Sequence, residues 1–131
     1  MERSGAASWL TEQTIGGFTL APTTLMLGLA VASALLTEFM SNSAVVAMLM
    51  PPALALAETH GIDLRAMTMA IVLPSNFAFM FPIATPVTAL AWSGGYFSAG
   101  VMAREGLIMH TFAWAVMGSL IYGWWPLMGL L

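Results

Sequence analysis

Long apolar runs separated by short polar breaks dominate this sequence. Four such runs can be traced, at residues 15–36, 43–57, 66–92 and 106–131. A helix that crosses a bilayer needs about 20 mainly apolar residues, and every run except the second reaches that length. The second run would rise only roughly 22 Å as a helix, which is short of a hydrocarbon core of about 30 Å. The pattern predicts an all-α integral membrane protein with one segment too short to cross.

Composition strengthens the membrane interpretation. The chain has 131 residues, of which 60% are hydrophobic and 7% are charged, whereas a soluble domain carries about 25% charged residues. Two long stretches, 66–103 and 106–131, contain no Asp, Glu, Lys or Arg. We therefore expect a multi-pass protein of the cell membrane, in contact with the lipid bilayer.

The same composition argues against several functions. The chain has no cysteine, so disulfides, thiol catalysis and zinc–thiolate sites are excluded. Its three basic residues and net charge of −3 argue against a nucleic-acid partner. A metal site at Glu58, His60 and Asp63 is a weak alternative, because their spacing matches no strong ligand motif. An intramembrane enzyme that uses Glu38, Glu58 or His60 lacks a paired acid and base, so we expect neither an enzyme nor a cofactor.

The runs divide the chain into a short lead-in and one membrane portion. Residues 1–14 form a polar lead-in, and residues 15–131 form the membrane portion. Its three expected elements are a re-entrant helical hairpin at 15–57, a broken transmembrane helix at 65–98 and one C-terminal transmembrane helix at 106–131. His110 would lie near the start of that last helix, at interface depth. The dipeptide Ser-Asn occurs at 41–42 and at 75–76, a likeness that chance supplies easily.

The first polar break concentrates polar atoms that the rest of the chain lacks. TEFMSNS, residues 37–43, contains a carboxylate, an amide and three hydroxyls. Ser41, Asn42 and Ser43 are good N-cap residues, so a helix that starts there would present free N–H groups and partial positive charge. Such a helix start attracts an anion without any Lys or Arg. Glu38 is a functional candidate because charges inside membrane segments are rare; alternatively, it only holds the hairpin through an unseen partner.

The second break lies among the prolines of the third apolar run. Thr85 fits an N-cap position, and Pro86 suits the first helical turn. Carbonyl groups that end the preceding helical segments, near Met40 and Ala84, would suit a hard cation such as Na⁺. One pair of broken helices can thus hold an anion together with its coupling cation. The structural alternative is that these hydroxyls bond their own helices and that the prolines only kink the backbone.

Three motifs in the same order resemble the divalent anion/sodium symporter family, whose members carry dicarboxylates, citrate or sulfate. LTEFMSNSAVVAMLMPPALALA (36–57) resembles the second Ser-Asn-Thr hairpin of that family. NFAFMFPIATPVTALAWSGGY (76–96) resembles the broken helix that follows, and MAREGLIMH (102–110) resembles the lead into the last helix. The likeness extends from about Pro22 to the end of the chain.

The resemblance implies a substrate site and a sodium site. The residues implied for the anionic substrate are Ser41, Asn42, Ser43, Thr85 and Pro86. The residues implied for sodium are Thr37, Ser41, Asn42 and Ala84. Ser43 stands where the family has Thr, while Val87 and Thr88 stand where it usually has Pro and Asn. The departures at Val87 and Thr88 affect the contacts beyond Pro86, and therefore which anion is bound.

The partners implied are an anionic small molecule, Na⁺ as the coupling ion and, for full-length members, a second copy in a homodimer. Family members are several times longer and contain an inverted repeat, of which this chain resembles the C-terminal portion only. We therefore expect the missing N-terminal repeat or a complementary subunit to supply the other half of the site. The alternative is a non-transporting membrane remnant or an assembly subunit of a split transporter.

Overall fold

A computed structural model describes residues 21–130, and every regular element in that range is helical. The α-helices longer than one turn are α1 (Pro22–Leu36), α2 (Asn42–His60), α3 (Leu64–Val72), α4 (Pro86–Ser93) and α5 (Ala99–Ser119). The all-helical prediction is confirmed. The expected lead-in at 1–14 and the start of the expected hairpin at 15–20 lie outside the described residues.

The first two helices run in opposite directions. Helix α1 begins at Pro22, a position where proline's missing N–H costs nothing. Helix α2 ends at Gly61, whose positive φ of 65° is the usual left-handed helix stop. Pro22 and Thr23 line the same surface cavity as Gly61 and Ile62. The start of α1 therefore lies beside the end of α2, and the chain has reversed between them.

The core lies among α1, α2, α3 and the end of the chain. Most of its members are small or unbranched apolar residues: Leu25, Met26, Ala30, Ala53, Leu56, Ala57, Ile62, Ala66, Met67, Ala70, Ile71, Met117, Ile121, Trp125 and Leu130. Alanines let helix backbones approach closely, as is typical of helices packed in membranes. Across this core the buried Ser33 hydroxyl of α1 donates to the Ile71 carbonyl of α3 at 2.8 Å.

Helix α5 continues beyond Ser119 through the π-helical segment Leu120–Trp124 and the final turn Trp125–Leu127. Together they make the one helix in residues 21–130 that is long and apolar enough to cross a membrane, judged by length and composition. It begins before the expected start at residue 106, because the Ser98 side chain accepts the Val101 N–H and caps it.

The segment that joins the irregular stretch at residues 77–85 to α5 has little contact with the rest of the chain. Residues 89–101 are all exposed, and α4 contains no buried residue. Large apolar side chains are exposed on this surface, most of all Leu90 at 75% and Tyr96 at 91%. Apolar surface of this extent marks contact with other protein or with lipid.

Candidate functional site

The first break buries two polar side chains at the turn between α1 and α2. Helix α1 ends at Leu36, and residues 37–40 form a turn before Ser41 caps α2 by accepting the Ala44 N–H. Thr37 is 0% exposed and Glu38 is 3% exposed. Buried polar groups cost free energy unless they are hydrogen-bonded, so their partners define the site.

Thr37 lies between two acceptor oxygens. Its Oγ1 is 2.7 Å from Oδ1 of Asn42 and 2.6 Å from the carbonyl oxygen of Ser75. Asn42 belongs to the first turn of α2, whereas Ser75 belongs to the 3₁₀ turn Pro74–Asn76 that follows α3. Three oxygen atoms from three parts of the chain therefore meet. We call Thr37 Oγ1, Asn42 Oδ1 and the Ser75 carbonyl oxygen the oxygen cluster.

A chain of hydrogen bonds fixes the orientation of the Asn42 amide. The Asn76 NH₂ group donates to the Val72 carbonyl oxygen at 2.8 Å, an atom that can only accept. Oδ1 of Asn76 must then face Asn42, whose NH₂ group donates to it at 3.1 Å. This leaves Oδ1 of Asn42 facing Thr37. The Thr37 hydroxyl has one hydrogen for two acceptors, so one of its two short contacts joins two oxygens without a proton.

Glu38 ties the two breaks together. Its Oε1 accepts the backbone N–H groups of Phe79 at 3.0 Å and Met80 at 3.1 Å. Its Oε2 accepts the Phe81 N–H at 3.2 Å and a second, longer contact from Met80. These donors lie in residues 77–85, which form no regular helix. Since the N–H groups of an unwound segment need acceptors, the carboxylate replaces the missing helical carbonyls.

Helix α5 reaches the same carboxylate through His110. Its Nε2 lies 2.8 Å from Oε1 of Glu38, and the ring packs edge-on against Phe77 and Phe79. One turn earlier, Gly106 lies so close to the unwound segment that a Cβ there would come within 2.5 Å of the Phe79 carbonyl oxygen. A glycine is therefore required for α5 to approach closely enough for His110 to bond.

The second break ends at a well-formed helix start. Thr85 caps α4: its hydroxyl accepts the Thr88 N–H while the Thr88 hydroxyl accepts the Thr85 N–H, a complete capping box. Ala84 is buried, at 7% exposure, and Pro86 occupies the first helical position. Because Pro86 has no N–H and Thr88 is capped, Val87 carries the remaining N–H of this first turn.

The structure joins some of the residues expected for the site and separates others. Thr37 and Asn42 are in direct contact, whereas Ser41 and Ser43 lie exposed at the start of α2. In the range 21–130 no hydrogen bond joins residues 41–43 to residues 84–86. Contact between the breaks is made by Glu38 and by Phe39, whose ring centroid lies 5.5 Å from that of Phe81.

Comparison with known proteins identifies the family. A family model with the description "Citrate transporter" matches residues 1–131, the whole chain. The chain belongs to this citrate transporter family. The resemblance to symporters of divalent anions is thereby confirmed. The family consists of transporters, so the chain is not an enzyme. Membership of a transporter family also confirms the prediction of a membrane protein.

Individual proteins that resemble this citrate transporter family member are also named as transporters. The chain is 32% identical over 113 residues to the human Na⁺/dicarboxylate cotransporter 3, an alignment that covers 83% of this chain and 18% of that protein. It is 29% identical over 109 residues to the Na⁺/citrate cotransporter of Rattus norvegicus, covering 83% and 19%. An uncharacterized transporter of Haemophilus influenzae is 30% identical over 102 residues, covering 76% and 22%. The chain spans about a fifth of the length of these relatives.

Reasoning from the sequence missed four residues of the site. Ser75 and Asn76 were assigned to a chance repeat, yet the two Ser-Asn pairs face each other through Asn42 and Asn76. His110 was expected near the start of the last helix, and this is wrong, because that helix begins earlier, at Ala99. Its contact with Glu38, against which its side chain is buried, was not predicted. A signal was available for α5: Gly106 and His110 are four residues apart, so they share one helix face.

The weak alternative of a metal site in the loop after α2 is not supported. Within the described residues, no group of three His, Cys, Asp or Glu side chains could hold a metal. His60 bonds the Leu56 carbonyl of its own helix. Asp63 caps α3 and pairs with Arg65.

Proposed function

We propose that this chain supplies one helical-hairpin half of the substrate and sodium site of a sodium-coupled symporter for divalent anions. The anion is a dicarboxylate, citrate or sulfate. The observation that carries the proposal is the oxygen cluster at the first break, in a chain of the citrate transporter family. Two relatives are named a Na⁺/dicarboxylate and a Na⁺/citrate cotransporter, and these names support both the sodium coupling and the anionic substrate.

The oxygen cluster fits a sodium ion. Hard cations in transporters are held by unwound backbone carbonyls and by the carbonyl ends of half-helices. Thr37 is the C-cap of α1, and the Ser75 carbonyl closes the cluster from the other side of the break. An oxygen–oxygen contact that lacks a proton is repulsive, and a cation bound between the oxygens would relieve it. Ser41, a further sodium ligand implied by the family, directly precedes Asn42. Ala84, the remaining one, lies in the second break, where its N–H bonds the Phe81 carbonyl.

The anion would bind at the starts of α2 and α4. Backbone N–H groups of Asn42 and Ser43 precede the capped N–H of Ala44, and Val87 offers the equivalent group in α4. The hydroxyl of Thr85 and the rigid turn at Pro86 shape the second helix start. Helix N-termini attract carboxylates and sulfate through aligned dipoles.

Basic side chains do not provide this attraction in the described part of the chain. Its two arginines, Arg65 and Arg104, are exposed and paired with Asp63 and Glu105. A divalent anion would therefore depend on the helix starts and on the bound sodium. Such a dependence would couple the binding of the two ions, because attraction to the bound sodium would contribute to the binding energy of the anion.

The membrane setting follows from the same proposal. Helix α5 would cross the bilayer, the hairpin of α1 and α2 would enter without crossing, and the protein would be a multi-pass protein of the cell membrane. Irregular backbone at 77–85 is tolerated at membrane depth only inside protein or beside a cavity. The exposed apolar surface of residues 89–101 would then face the missing N-terminal repeat or a complementary subunit, in a homodimer of complete transporters.

A second candidate is a non-transporting membrane remnant or an assembly subunit of a split transporter. The chain spans about a fifth of the length of its named relatives, and the uptake experiment below separates the two candidates. It would share the fold proposed above and would bind no anion productively.

Uptake in proteoliposomes tests the proposal. In a complete transporter that contains this chain, Asn42→Ala should reduce Na⁺-driven uptake of succinate, citrate or sulfate at least about tenfold, the factor expected for the loss of one interaction with a charged ligand. Expression should not change. Thr68→Ala is the matched control, because its hydroxyl bonds only the Leu64 carbonyl of its own helix.

Two outcomes would count against this assignment. Normal uptake by Asn42→Ala would remove the first break from the site. Robust uptake by this chain alone, above that of empty vesicles, would show that one hairpin half suffices and would overturn the half-site proposal. A complete transporter that takes up none of the three anions would favour the remnant.

A further inference from the structure

Three separate parts of the chain converge on one buried carboxylate. Glu38 comes from the turn between α1 and α2, the N–H donors come from the unwound segment at residues 79–81, and His110 comes from α5. The side chains of Glu38 and His110 are 4% and 10% exposed. We call Glu38, residues 79–81 and His110 the carboxylate clasp.

The carboxylate clasp provides hydrogen-bond acceptors for the backbone of the unwound segment. Residues 79–81 make no helical hydrogen bonds, and bare N–H groups are costly away from water. A carboxylate that accepts several N–H groups holds them by charge-assisted bonds, which are shorter and stronger than neutral ones. If Glu38 moved away, these donors would lose their acceptor together, so the segment and the turn are coupled as one unit.

His110 does not touch the oxygen cluster but is connected to it through Glu38. Thr37 directly precedes Glu38 in the chain, and the Ser75 carbonyl lies four residues before Phe79. Edge-on contacts with Phe77 and Phe79 hold the imidazole in place. The clasp therefore fixes the two sides of the oxygen cluster relative to each other.

We propose that His110 is a positioning residue, which holds Glu38 against residues 79–81 and thereby sets the sodium affinity of the oxygen cluster. The sodium part of this proposal rests on the function proposed above. The clasp part does not, because it concerns only the distance between the turn at 37–40 and the unwound segment. A packing role for His110 would predict lower stability without any selective effect on sodium.

Cross-linking measures the clasp directly, since the natural sequence has no cysteine. Phe39→Cys and Phe81→Cys place one thiol on the turn and one on the unwound segment, where the two rings lie 5.5 Å apart. Both changes leave the backbone N–H of residue 81 in place. The yield of cross-linking by a short thiol-specific bifunctional reagent then reports how often the two sides meet.

The variants are compared in this double-cysteine background. His110→Ala and Glu38→Gln should lower the cross-linking rate, because the loss of a hydrogen bond to a charged group shifts the equilibrium between the closed and open clasp about tenfold toward the open state. His110→Gln should restore most of it, because its amide keeps an N–H donor at similar reach. The matched controls are His60→Ala and Glu58→Gln, two residues outside the clasp, and both should cross-link like the parent.

The sodium arm uses the full chain without the added cysteines. The NaCl concentration that gives half of the maximal thermal stabilisation should rise about tenfold in His110→Ala and recover in His110→Gln. Choline chloride at equal ionic strength is the reference. Thermal stability without sodium is recorded for every variant, so that a general loss of folding is recognised. If His110→Ala does not fold, Glu38→Gln carries the comparison, with a rise in the same direction.

The outcomes separate the possibilities. Cross-linking in His110→Ala and Glu38→Gln that equals the parent would overturn the clasp. Reduced cross-linking with an unchanged sodium dependence would overturn the positioning role and leave packing as the function of His110. Absence of any sodium response in the parent would count against the proposed function and the sodium half of this inference, while the cross-linking arm still decides the clasp.

Discussion

The two breaks in this chain are built in opposite ways. At the first, residues 37–43, the side chains carry the polar atoms: Thr37 and Glu38 are buried, and Asn42 faces Thr37. At the second, residues 77–85, the side chains are mostly apolar and the backbone carries the polar atoms. The Glu38 carboxylate of the first break accepts the N–H groups of the second.

The two kinds of break differ in how visible they are in an apolar sequence. A break with polar side chains can be recognised in the sequence, whereas a break whose polar atoms belong to the backbone is marked only by prolines. The second break cannot be stable alone, since its N–H groups need an acceptor from elsewhere. Side chains at one break therefore complete the backbone at the other, and the two form one unit.

The largest effect on this pairing is expected from Gly106→Ala. The added Cβ would lie 2.5 Å from the Phe79 carbonyl oxygen, so α5 or the unwound segment must move. Overpacking of this kind costs about 1–3 kcal/mol, and thermal unfolding of the purified chain in detergent measures it. The displacement should also weaken the contact between His110 and Glu38.

Gly118→Ala on the same helix is the matched control. An added Cβ there meets nothing within 4 Å, and replacing a helical glycine by alanine stabilises by about 1 kcal/mol at most. If Gly106→Ala proves as stable as Gly118→Ala, the close approach of α5 to the second break is not real, and the two breaks are not held by α5.

The smallest effect is expected outside both breaks, at the turn before α3. Hydrogen bonds from the Arg65 side chain and backbone hold the pKa of Asp63 below its ordinary value of 3.8. A lowered pKa stabilises the fold above pH 3.8, and this contribution disappears as the pH falls through the lower, folded value. Both side chains are solvent-exposed in part, so the effect on stability is small.

Asp63→Asn tests this turn. Asn is also a good N-cap, so the variant should unfold at a slightly lower temperature than the parent at pH 7. The difference should narrow as the pH falls below 3.8, and the sodium response should not change. A large change in that response would mean that the functional unit extends beyond the two breaks.

Much of this architecture could be predicted from the sequence. Apolar runs and helix-capping residues indicated the helices, the reversal between α1 and α2, and the break before Pro86. Asn42 and Thr85 were indicated as polar residues at predicted helix starts, whereas Thr37 was implied by the family resemblance. Such signals are local, and they depend on residue types within one turn of each other.

The tertiary part of the site could not be predicted in this way. The Ser75 carbonyl belongs to the backbone, which every residue has, so no letter in the sequence marks it. The bond between Glu38 and His110 joins positions 72 residues apart, and only the folding of α5 onto the second break brings them together. Asn76 was visible, but its value depends on the Val72 carbonyl that orients it.

Sodium-dependent thermal stabilisation of Thr37→Val is the most direct test of the central claim, that the oxygen cluster at the first break binds sodium. A ligand that binds only the folded state stabilises it by about 2.7 kcal/mol at a hundred times its dissociation constant. The parent and the control Thr68→Val should therefore unfold at a higher temperature in NaCl than in choline chloride. Thr37→Val, which keeps the shape and loses Oγ1, should show no difference between the two salts; a sodium response equal to that of the parent would contradict the account.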